Sequence, residues 1–187
     1  MASWNERFRD KTRDTLEEAL TLLGVPAEMA ERGRPEEAIG KRMFTRSLGV
    51  IDISAGPITW VNVIKQDGSD KSPPQWWFIF GVPDGRKMPK EGAIKLTTLR
   101  KKSFPIFGEV LDVSWRGKDM GSGLISILSE DATIDEMIKR VKDMTVQNRT
   151  TGFQGWTLQT GKNFQLSQQD WEALQTIALY LTMTPVG

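Results

Sequence analysis

The spacing of hydrophobic and polar residues changes repeatedly along the chain, and each change marks a different kind of element. At the amino end, Trp4, Phe8, Thr15, Ala19, Leu22 and Leu23 gather on one side of a 3.6-residue wheel, with Leu16 and Leu20 widening the stripe. Ser3 and Glu6 have the Ser-x-x-Glu spacing of a capping box, which predicts a helix start there. Gly24, flanked by Leu20 and Val25, has the pattern of a Schellman ending, and Pro26 prevents continuation. Pro26 also suits the first turn of a second, short helix through Arg32, so the reading is an N-terminal helix pair.

From Arg42 the period becomes two. Met43 to Ile53 reads as a strand bent at Gly49, and Ile58 to Gln66 as a second, with Trp60, Asn62 and Ile64 on one face and Thr59, Val61 and Val63 on the other. Trp76 to Phe80 is apolar at five consecutive positions, so as a strand it must be covered on both sides. Further strands are expected over Ala93 to Leu99, Ile106 to Trp115 and Leu124 to Leu128. Thr133 and Glu136 suggest a helix running to about Gln147, followed by a hairpin over Gly152 to Thr160 and Asn163 to Leu166. Ser167 and Asp170, with Leu166 and Trp171 as a hydrophobic staple, open a last helix from Gln168 to about Thr182.

These elements add up to an α+β fold: a mainly antiparallel, strongly curved sheet of six to eight strands, covered by the N-terminal helix pair and two later helices. With 187 residues and no polar linker, a single domain is expected, with a helical part over 1–40, a β-rich part over 41–130 and a last part over 131–187. No apolar run is long enough to span a membrane and no signal-peptide pattern opens the chain, so it reads as soluble and cytoplasmic.

Composition then removes several chemistries. The chain has no histidine and no cysteine, which excludes Ser-His-Asp and Cys-His catalysis, disulfides, and zinc or iron sites built on those residues. No cofactor or metal site is expected. Catalysis would have to come from carboxylates, Lys, Ser or Tyr180, and no constellation of these is visible. Asp84, Glu91 and Lys95 approach a metal-nuclease pattern, but Glu91 and Lys95 are four apart and do not have the strand spacing it needs.

The net charge of +1 hides an uneven distribution. Residues 1–40 are about three charges negative, 41–120 about six positive and 121–187 about two negative. Arg86, Lys87, Lys90, Arg100, Lys101 and Lys102, with Lys95 among them, crowd one stretch of sequence and form a basic surface if the flanking strands pair. Alternatively they are a solvated loop and a lysine-guarded edge strand.

The leading functional reading is a non-catalytic binding module for an apolar small molecule or a protein partner. Its ligand-binding candidates are Trp60, Trp76 and Trp115, which line an apolar pocket if the sheet curls without filling. The alternatives are binding of single-stranded nucleic acid or an acidic partner through the 86–102 region, and a histidine-free enzyme using carboxylates.

Overall fold

Trp76 to Phe80 lies inside the sheet, as its two-sided apolar character requires. In the computed structural model, residues 10–87, 93–102, 110–141, 143–161 and 165–185 are described, with the backbone alone at 101, 102, 110 and 111. In chain order the elements are α1 (Thr12–Leu22), β1 (Ala27–Met29), a 3₁₀ turn (Pro35–Ala38), β2 (Thr45–Ile53), β3 (Trp60–Gln66), β4 (Gln75–Pro83), β5 (Lys95–Lys102) and β6 (Val110–Lys118). They continue with α2 (Leu124–Glu130), α3 (Ala132–Arg140), β7 (Met144–Gln147), β8 (Gly155–Gly161) and α4 (Gln168–Met183). The strands form one antiparallel sheet in the order β1-β2-β3-β4-β8-β7-β5-β6.

The sheet has an inner face under the helices and an outer face. On the inner face, Val61, Val63, Phe78, Phe80, Leu96, Val146, Trp156 and Leu158 are buried against Leu16 and Leu20 of α1, Ile134 and Met137 of α3, and Trp171, Leu174, Ile177 and Leu181 of α4. Removing a side chain such as Phe80 wholly from water contributes about 1.5–3 kcal/mol, so this layer supplies most of the drive to fold. On the outer face a smaller core of Ile39, Val50, Trp60, Ile64 and Ile79 lies over β2, β3 and β4, with Trp77 and Phe153 packed beside it.

Polar groups fix how the layers meet. The Asn62 side chain accepts from the Ser47 hydroxyl and donates to the Glu36 and Ile39 carbonyls, tying the 3₁₀ turn to the outer face. Arg13 reaches from α1 to donate to the Ala30 and Val50 carbonyls, where β2 bulges at Gly49. Gly49 sits at φ 122°, and a β-carbon there would run into the Arg13 guanidinium, so the bulge and the arginine require a residue without a side chain. Asp84 accepts from the Trp156 indole N–H and from Arg86, whose guanidinium also donates to the Leu181 and Thr184 carbonyls at the end of α4. A cation on those carbonyls satisfies groups that the helix itself leaves open.

Several expectations are corrected. Among the described residues there is one N-terminal helix, not a pair: α1 ends in the expected Schellman geometry, with Val25 N–H donating to Leu20 and Gly24 N–H to Thr21. The chain then pairs Ala27–Met29 with Ile51–Ile53 as an edge strand instead of starting a second helix. Leu124 to Leu128 is helical, because Leu124 and Leu128 satisfy a spacing of four as well as of two, and the helix buries both. The helix expected to run to Gln147 stops at Arg140, and Met144–Gln147 becomes β7, which joins β5 to β8. The sheet is open, with β1 and β6 at its edges, and it is not strongly curled, because the helices lie on it as a layer.

The Ser3–Glu6 capping box, Trp4, Phe8, the first part of the strand expected from Ile106, and Asn163 lie outside the described residues. Among the described residues no helix is long and apolar enough to cross a membrane.

Candidate functional site

A broad concavity opens between α1 and the start of α4. It has a volume of about 1360 Å³ and is lined by Thr12, Thr15, Leu16 and Ala19 of α1, Phe78 of β4, Arg140 of α3, and Leu166, Ser167, Gln169 and Asp170 around the start of α4, with Asp10 and Lys11 at its rim. Its position follows from local sequence rules. The α1 stripe turns Leu16 and Leu20 toward the sheet, which leaves Ala19 and Thr15 on the flank beside the opening. The Ser167 capping box fixes the first turn of α4, with the Ser167 hydroxyl accepting from Asp170 N–H and the Asp170 carboxylate accepting from Ser167 N–H. Phe78 lines the concavity from the sheet between these two helices.

Two ion pairs frame the opening. On the α1 side, Asp10 accepts from Lys65 Nζ at 2.8 Å, from Thr12 N–H at 2.9 Å and from the Trp76 indole N–H at 3.0 Å. Burial pushes the Asp10 carboxyl up, but these donors outweigh it and hold it well below the usual carboxylate range. Lys65 Nζ also lies 5.2 Å from the Trp76 ring centroid, so indole, ammonium and carboxylate form one unit. On the other side, the nearly buried Asp170 takes two hydrogen bonds from Arg140, at 2.5 and 3.2 Å through Nη2 and Nε, and the Arg140 side chain remains 46% exposed. The apolar lining therefore lies between two neutralised charge pairs, an arrangement suited to a ligand with an apolar body and polar ends.

Four described carboxylates lack the character of general acids. The carboxylates displaced from their ordinary range, Asp10, Glu36, Asp67 and Asp84, are all displaced downward by basic partners. Such groups stay ionised near neutrality, whereas a catalytic acid needs its pKa raised. Among the described residues no group of three or more acids is close enough to hold a metal ion.

The tryptophans chosen from sequence fall in three different places. Trp60 is 3% exposed on the outer face, edge-on to Phe153 with centroids 5.0 Å apart. Trp115 is 6% exposed on the inner face beneath the helices. Trp76 is half-buried and touches the groove through Asp10.

The basic candidates are also dispersed. Arg86 is turned onto Asp84 and α4, while Lys87 is exposed in the loop after β4. Arg100 is on the inner side of β5, 4.0 Å from Asp143. Lys101 and Lys102 are in the backbone of β5, and Lys90 lies outside the described residues.

Sequence reasoning missed Arg140 and Asp170 as partners and saw Asp170 as a cap alone. A nearly buried aspartate at a helix start can do both, and only the pairing of α3 with α4 brings the arginine to it. The chain matches no protein-family model, and no curated protein or solved structure resembles it significantly.

Proposed function

We propose that the protein is a non-catalytic binding module whose ligand is an amphipathic small molecule held in the groove between α1 and α4. The observation that carries this reading is the mixed lining of the groove: Leu16, Ala19, Phe78 and Leu166 offer an apolar bed, and Arg140 and the Asp10–Lys65 pair stand at its sides. A concave lining of this kind suits a small molecule more than a flat protein surface. Arg140 spends Nε and Nη2 on Asp170, so the rest of its guanidinium fork is the natural donor to an acceptor-rich end group such as a carboxylate or sulfonate. Trp76, which shares Asp10 with the groove wall, reports on occupancy.

The test is a titration with anilinonaphthalene sulfonate, an amphipathic fluorescent anion, read by its own emission and by tryptophan emission. Saturable one-to-one binding is expected in the wild type. Ala19→Trp, which fills the flank of the groove from a partly exposed helix position, is expected to abolish it while leaving thermal unfolding cooperative. Equal binding by the two proteins would remove the groove as the site.

A further inference from the structure

The outer face of the sheet is covered on one half only. Over β2, β3 and β4 it carries the 3₁₀ turn and the small core around Trp60, whereas no described element lies over the outward positions of β5, β6 and β7. The pairing register shows which side chains occupy that open half. Lys95 stands opposite Lys118, Thr97 opposite Arg116 and Thr145, and Leu99 opposite Ser114. Lys95, Arg116 and Lys118 are exposed, and none of them has an ion pair among the described residues. The one acid at the described outward positions of these strands, Asp112, lies opposite the backbone of residue 101 in the strand register, toward the other end of β6.

Like charges directly opposite one another on a sheet are destabilising, so an unrelieved Lys95–Lys118 pair with Arg116 beside it lacks a structural reason within the fold. The same row continues from Lys95 to Gln147 and Thr157, where the partly buried Phe153 packs on the outer face. A positive strip, uncharged hydrogen-bonding residues and a partly buried aromatic ring follow one another across the sheet. We propose that this open half binds single-stranded nucleic acid, with Lys95, Arg116 and Lys118 on the phosphates and Phe153 beside a base. Charge complementarity selects a polyanion, and the polar Thr97, Thr145 and Gln147 with Phe153 favour nucleotides over an acidic peptide, which has no bases to stack or pair.

The test is fluorescence anisotropy of a labelled oligothymidylate with the full chain, over a range of salt concentrations and with polyglutamate as competitor. Three phosphate contacts predict a logarithmic salt slope of about −2, and Lys95→Gln with Lys118→Gln is expected to weaken binding about tenfold at low salt and flatten the slope to about −0.7. Lys71→Gln, in the exposed turn after β3, is the control and is expected to leave binding unchanged. Phe153→Leu is expected to weaken binding without altering the slope. Absent binding, binding indifferent to Lys95 and Lys118, or displacement by polyglutamate at equal charge concentration would overturn the proposal, the last in favour of an acidic protein partner.

Discussion

Lys95 and Lys118 face each other directly across β5 and β6, both exposed on the uncovered half of the sheet. Replacing one of them by an acid turns a repulsive cross-strand pair into an attractive one. Lys118→Glu is therefore expected to raise stability by a few tenths to about 1 kcal/mol in chemical denaturation, and to weaken oligonucleotide binding about tenfold at low salt. A stabilised protein with weakened binding would show that the lysine pair is kept at a cost to the fold. A destabilised one would mean that other contacts of Lys118 matter more than its charge.

Asp84 links three elements through Trp156, Arg86 and the end of α4. Burial pushes its carboxyl up, but the Arg86 guanidinium and backbone N–H and the Trp156 indole hold it below its ordinary value. Because the folded state lowers this pKa, its contribution is fully present above the unfolded value of about 3.9 and is lost as pH falls through the native value. Asp84→Asn is expected to cost about 2 kcal/mol at neutral pH by weakening charge-assisted hydrogen bonds, and to make unfolding less sensitive to pH below about 4. Urea midpoints at neutral and acid pH measure both effects. A variant as acid-sensitive as the wild type would place that sensitivity elsewhere.

Gly81 faces the Trp60 indole across β3 and β4, where a β-carbon would overlap the ring. Since Trp60 is buried among Ile39, Val50 and Ile79, it has little room to retreat. Gly81→Ala is expected to destabilise by about 1–3 kcal/mol and to alter tryptophan emission in the native state. An unchanged midpoint would show that the small outer core is loosely packed.

What the sequence made legible was what local rules determine. The Schellman end of α1 at Gly24, the bend of β2 at Gly49, the inner position of Trp76 to Phe80 and the Ser167 capping box are each set by a few adjacent residues, and each is present. The misreadings occur where two periods compete or where a distant strand decides. Ile134, Met137, Ile138, Val141 and Met144 keep helical spacing, but Met144 N–H is taken by the Thr98 hydroxyl of β5, and the segment is drawn into the sheet. Ala27–Met29 becomes a strand because the edge of β2 is there to accept it. The candidate site was less legible than the fold. Asp10, Arg140 and Asp170 are far apart in sequence, and only the packing of α1, α3 and α4 on one face gathers them. The cluster of positive charge from 86 to 102 was visible, but alternation along β5 sends Lys95 outward and Arg100 inward, while Arg86 turns onto α4.

The most direct test of the groove as a ligand site is the indole region of a ¹⁵N–¹H correlation spectrum during titration with anilinonaphthalene sulfonate. The Trp76 indole N–H donates to Asp10 on the groove wall, whereas those of Trp60, Trp115 and Trp156 belong to side chains buried away from it. The expected result is a saturable shift of the Trp76 resonance, assigned by its loss in Trp76→Phe, with the resonances of Trp60, Trp115 and Trp156 nearly still. A static Trp76 resonance under saturating ligand, or shifts led by Trp60 or Trp115, would contradict the assignment of the binding site to the space between α1 and α4.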